Sequence, residues 1–238
     1  MTMMQRSTRW MSALCLALAA GASCADGAPV HDDYDAFWLS LPGRAFSAAD
    51  ERPLDPPQSF EGQAFRAWGA PTAAGARLPT GQHRIEWLGP DLTIDHHAFP
   101  FAGAKVFPGE APAEVGDDAR LFVGSRDVCV QGTPPSASGT AQRHVHVVVV
   151  LDAFTPRARR YDLPSLFGSC LALERDDQAG LAFLAGAYHT PAGAQVSDGV
   201  DFKRWRLRDG KFTPLPAPPL RIRFPDPQDA YRFTVVAP

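Results

Sequence analysis

Seven histidines and four cysteines carry most of the reactive chemistry open to this chain of 238 residues. His144 and His146 stand two apart in Arg143-His144-Val145-His146-Val147-Val148-Val149-Val150-Leu151. In a strand, residues at that spacing project from one face. Two imidazoles on one face can share a Zn or Cu ion. A third ligand would come from His189 or from the His96-His97 pair, and no spacing singles one out. The same two residues also suit the wet start of a strand that is about to become buried. Zn is therefore the alternative, and the first expectation is no cofactor.

The cysteines point to a covalent staple. Cys15 and Cys24 fall in the N-terminal 25 residues, which leaves Cys129 and Cys170 for the rest of the chain. Neither is part of a CxxC unit, so a metal pair is disfavoured. In an oxidising compartment the two most simply pair with each other. Both lie in apolar, strand-like sequence, so the bridge is expected to join neighbouring strands within or beside the core. It would close a loop of about 40 residues, worth roughly 3–4 kcal/mol.

That compartment is indicated by the N-terminus. Arg6 and Arg9 precede the apolar run Trp10–Ala20, which ends in Ala20-Gly21-Ala22-Ser23-Cys24-Ala25. The run is about 11 residues, too short for the roughly 20 that span a bilayer. Basic start, short apolar run and small-residue end are the three parts of a secretory signal over residues 1–25. Ala22-Ser23-Cys24 also resembles the end of a bacterial lipobox, with Gly21 where that motif usually carries Leu. The resemblance implies lipidation of Cys24 and, through it, the one membrane attachment expected.

Other chemistry has plainer rivals. Asp32, Asp33 and Asp35 could offer oxygens to Ca²⁺, but the EF-hand spacing, glycine and terminal Glu are missing. A helix cap and a solvated face explain them better. Asp95-His96-His97 holds an acid and two bases, yet strand neighbours point to opposite faces. There is no GxSxG or SxxK unit, and Ser125, Ser136, Ser138 and Ser169 sit where loop serines normally do. No P-loop, GxGxxG or CxxCH occurs. The small-residue stretch Gly132–Thr140 reads as a long hairpin connection or a recognition loop. Arg157-Ala158-Arg159-Arg160 and Arg204-Trp205-Arg206-Leu207-Arg208 read first as solvated faces. In the second, three arginines share one strand face, a docking strip for an acidic partner or an anionic envelope polymer.

The elements that must position these residues are mostly strands. A short helix is expected over His31–Leu41, where Tyr34, Phe37, Trp38 and Leu41 are helically spaced between Asp32-Asp33 and Pro42-Gly43. Residues 26–80 are otherwise read as a Pro/Ala/Gly-rich irregular segment with one strand near Phe60–Trp68. Residues 81–238 are read as the β-rich domain. Strands are expected at 83–88, 92–94, 105–107, 121–130, 143–151, 166–173, 181–188, 202–208, 211–215, 221–224 and 231–236. The four consecutive valines Val147–Val150 fit a strand buried on both faces. Asp209-Gly210 between two alternating runs is the best hairpin signal. The fold class is thus mainly β, an antiparallel sandwich or barrel.

Composition narrows the function. Net charge is −3, from 23 basic and 26 acidic residues, so nucleic acid is not an expected partner. Of the basic residues only Lys105, Lys203 and Lys211 are lysine, a bias that GC-rich coding would also give. The sequence supports an exported bacterial envelope protein, non-catalytic, that binds a protein or polymer. The rival is a secreted metal-dependent enzyme or hydrolase that uses His144 and His146.

Overall fold

The valine run lies at the centre of three stacked sheets. The computed structural model describes residues 28–56, 58–60, 63–70, 81–110, 115–116, 118–135, 137–176 and 180–236. The N-terminal residues read above as a signal, with Cys15 and Cys24, lie outside them, as does Ser136.

The chain opens with β1 (Val30–His31), α1 (Tyr34–Ser40) and β2 (Glu51–Arg52). An antiparallel meander of five strands follows: β3 (Gln58–Phe60), β4 (Gln63–Trp68), β5 (Ile85–Leu88), β6 (Asp91–Ile94) and β7 (His97–Phe99). Next come β8 (Lys105–Val106), β9 (Arg120–Val123), β10 (Val128–Gly132), β11 (His144–Leu151) and β12 (Arg159–Leu166). With β2 they form a six-stranded sheet in the order β2-β9-β10-β11-β12-β8. The last strands are β13 (Glu174–Asp176), β14 (Gly180–His189), β15 (Gly199–Arg208), β16 (Lys211–Pro214), β17 (Leu220–Arg223) and β18 (Phe233–Val236). These make a seven-stranded sheet, β1-β18-β17-β15-β14-β13, with β16 also on β15. All pairings are antiparallel except β12 with β8. The fold is mainly β and sandwich-like, as the sequence pattern indicates.

Alternation assigns the layers. Cys129, Val147 and Val149 face the seven-stranded sheet and join a core with Trp38, Phe183, Phe202 and Phe233. Val128, Val130, Val148 and Val150 face the meander and join a second core with Ile85, Trp87, Leu92 and Ile94. Strand β10 and the Val147–Val150 run of β11 therefore have no solvent face, which is why their sequence does not alternate. Strand β5, by contrast, alternates buried and half-buried residues, as a one-sided strand should.

The helix forms for the reasons its sequence offers. The Asp33 carboxylate accepts from Ala36 N at 3.1 Å, capping the first turn. The helix buries Phe37 and Trp38, and Trp38 meets Phe202 edge-on at 5.3 Å.

Three expectations need correction. Residues 121–130 are a hairpin, β9 and β10, because Gly124–Asp127 turns the chain and Gly124 N donates to Asp127 O. The strand placed at 166–173 belongs earlier, at Arg159–Leu166. It stops where Phe167 takes φ +50°. Cys170 consequently opens a short 3₁₀ turn, Cys170–Ala172, and is not in a strand. The disulfide itself is present: Cys129 and Cys170 are joined, with Cα atoms 5.9 Å apart and both residues fully buried. It ties β10 to that turn. Gln131 secures the turn by accepting from Cys170 N at 2.6 Å and from Ser169 Oγ at 3.0 Å.

Candidate functional site

His144 and His146 lie on the meander-facing side of β11, as their spacing requires. His144 is exposed and His146 is buried. Burial holds the His146 pKa below its ordinary 6.5, and His144 lowers it further against the opposing pull of Asp162. Among the described residues no group of three or more His, Cys, Asp or Glu is arranged around a metal position. His189 is engaged elsewhere, with Nδ1 at 2.6 Å from Asp198. His97 lies in β7, and His96 occupies the β6–β7 turn with φ +69°.

The structure pairs a further histidine with a carboxylate that the sequence did not connect to it. His83 Nδ1 lies 2.7 Å from Asp95, and its ring stacks on Phe154 at 3.8 Å. Such pairing orients an imidazole for catalysis when a nucleophile follows. Among the described residues no serine, threonine or cysteine is hydrogen-bonded to His83 or His189. The acidic cluster is also structural: Asp33 caps the helix, and Asp35 pairs with Arg120, which also holds Glu51. The Arg120 guanidinium keeps the Glu51 carboxyl below the usual range. The Gly132–Thr140 stretch connects β10 to β11, and Asp118 pins it by accepting from Thr133 N at 2.9 Å and from its hydroxyl at 3.0 Å.

What the fold does bring together is the two arginine stretches. Arg204, Arg206 and Arg208 share one face of β15. Asp209 and Gly210 turn the chain with φ +51° and +73°, as a hairpin of this type requires. Lys211 then lies opposite Arg208. From the central sheet, the Tyr161 hydroxyl accepts from Gly210 N at 2.8 Å. Arg159, two residues before Tyr161 on the same face of β12, comes alongside: a Cβ built on Gly210 would lie 3.3 Å from Arg159 Nη1 and 3.7 Å from Lys105 Cε. Two cations from the central sheet thus lie against a hairpin that carries two more. Burial and this contact raise the Tyr161 pKa and lower it respectively, with burial the larger effect.

Lys105, Arg159 and Lys211 are exposed and pair with no carboxylate among the described residues. Arg208 lies 3.4 Å from Asp209, which is itself open to solvent. Beside Lys105 and Arg159 is a depression of about 180 Å³ walled by Phe99, Pro100 and Gly103. Its far wall is held by Arg160, which is buried and saturated. Arg160 donates to both Asp162 oxygens at 2.8 and 3.1 Å, and to the carbonyls of Pro90 and Phe99.

At the other end of the ridge, Arg204 donates to Glu174 at 3.0 Å, and Arg44 binds the same carboxylate. The sequence displayed every one of these cations except Arg44. The convergence at Gly210 was not visible, because it joins positions about fifty and a hundred residues apart through tertiary contact alone.

No family model, no curated protein and no solved structure matches the chain.

Proposed function

We propose that this is an exported bacterial envelope protein that binds an anionic envelope polymer without catalysis, through the ridge running from Arg204 to Gly210 and on to Lys105 and Arg159. Export rests on the signal-like residues 1–25 and agrees with a buried disulfide, a bond that persists in oxidising compartments. The observation that carries the ligand class is the closing of Arg159 and Lys105 around Gly210.

A chain of net charge −3 has no compositional reason to gather four cations at one hairpin end. Like charges held together cost free energy unless an opposite charge meets them. Three of the four have no acidic partner in the described fold, so an external anion is the natural complement. The row is also extended, with strand residues spaced about 3.3 Å apart. A row suits a repeating ligand better than a compact one.

The test is binding of dextran sulfate to the purified protein, with neutral dextran as the control. Selective binding, weakened about tenfold by Lys105→Gln/Arg159→Gln, is the expected result. Equal binding of the two dextrans, or no effect of the double substitution, would overturn the reading. A preference for a soluble acidic protein over the polymer would move the assignment to a protein partner.

A further inference from the structure

Two depressions of about 300 and 320 Å³ lie at the Arg204 end of the ridge and share Leu184, Arg204 and Leu220. They form one trough with two unlike arms. The first arm is walled by Ala217, Pro218, Pro219 and Val235, an apolar surface left open to water. The second arm contains Arg44, Glu174 and Arg175. Arg44 and Arg204 both bind Glu174, so at this point two guanidinium groups meet one carboxylate. Arg175 is neutralised separately by the buried Asp127. One positive charge is left over where the apolar arm begins.

We infer that this trough seats an apolar chain with an anionic group at its head, so that the ligand of the ridge is an anionic polymer that also bears an acyl-type chain. The inference rests on the proposed ridge function for the polymer part and on the trough alone for the chain. The apolar arm would cover the chain and remove its surface from water. Arg204 would hold the head, since a guanidinium has five N–H donors and Glu174 takes one of them here. The head would then lie on the same strand face as Arg206 and Arg208, leading on to Gly210. From Arg204 to Arg208, where the strand gives way to the turn at Gly210, is about 13 Å.

A peptide fits this place less well. An extended peptide is recognised by adding backbone hydrogen bonds along a free strand edge. Beside the trough that edge of β15 is occupied. Phe202 pairs with Leu220, Trp205 pairs with Pro214, and Arg204 O accepts from Leu215 N at 2.9 Å. An acyl chain needs no backbone partner.

Isothermal titration of the purified protein with monomeric decanoate, decyltrimethylammonium and dextran sulfate tests the inference. Decanoate is expected to bind, and decyltrimethylammonium to bind at least about tenfold more weakly, because its head is repelled by Arg204. Arg204→Gln should weaken decanoate about tenfold by removing the head contact. Ala217→Trp, at an exposed position, should fill the apolar arm and block decanoate while dextran sulfate still binds. Failure of decanoate to bind, insensitivity to both substitutions, or equal affinity for the two amphiphiles would overturn the inference. If dextran sulfate binds and decanoate does not, the trough assignment fails and the ridge stands. If decanoate binds and dextran sulfate does not, the ridge reading fails and the trough stands.

Discussion

Arg159 and Arg160 are consecutive residues of β12, yet they belong to two different regions of the molecule. Arg160 enters the interface between the central sheet and the meander. There it is buried, bonded to both oxygens of Asp162 and to two carbonyls, and it lies over Trp87 with its guanidinium carbon 5.6 Å from the ring centroid. Arg159 emerges on the opposite face, exposed, beside Gly210 and without a carboxylate partner among the described residues. A strand alternates its faces, so one step along the chain separates a structural cation from an available one. The difference teaches that arginine content says little about ligands. What matters is whether the fold has already satisfied the guanidinium.

The sharpest way to break this comparison is to substitute both arginines alike. Arg160→Gln should lower stability by roughly 3–5 kcal/mol, because it leaves the buried Asp162 carboxylate without its ion partner. Chemical denaturation measures this directly. The paired substitution Arg160→Met/Asp162→Leu should recover much of the loss, since removing both charges leaves none unpaired. Arg159→Gln should change stability by less than about 0.5 kcal/mol and act on ligand binding instead. Equal destabilisation by the two single substitutions would erase the distinction drawn between the regions.

The next effect concerns the seam between the central and seven-stranded sheets. Cys129→Ala/Cys170→Ala should cost about 2–4 kcal/mol. The bridge is buried, so mild reductant should leave it intact in the folded protein. Thiol titration before and after denaturation in reductant follows both properties. Titratable thiols at Cys129 and Cys170 without reductant would contradict the bridge.

A smaller effect belongs to the other face of β11. The His146 pKa is lowered by burial, so the unfolded chain takes up a proton more readily than the folded one. The contribution is complete above the ordinary value of 6.5 and is lost as pH falls below it towards the folded pKa. Denaturation midpoints measured between pH 7.5 and 5.5 should therefore fall with pH, and less steeply in His146→Gln. A steeper fall in the variant would reverse the sign of this linkage.

The legibility of the chain follows the same division between local and long-range causes. Val147–Val150 announced a strand buried on both faces because no polar residue interrupts it. Asp209-Gly210 announced its hairpin because two positive-φ positions restrict the residue types. Cys129 and Cys170 could be paired by elimination. The start of β12 was hidden, because Arg159 and Arg160 look like surface residues until Asp162 is placed beside the second. The turn at Cys170 was hidden too, since the side chain that holds it, Gln131, lies 39 residues away. Of the candidate site, the sequence displayed the arginine strip on β15 and the basic run before Tyr161. It gave no sign that Gly210 brings them into contact, or that Leu184, Leu220 and Val235 form a trough around Arg204.

The most direct test of the central claim is the salt dependence of dextran sulfate binding for the wild type and for Lys105→Gln/Arg159→Gln. Each protein cation that neutralises a polyanion releases bound counterions, and log K falls with log salt by close to one unit per cation. If the ridge is the binding surface, the double substitution should reduce that slope by about two while leaving the unfolding transition in place. An unchanged slope would contradict it, placing the anion contacts somewhere other than the ends of the strands that meet at Gly210.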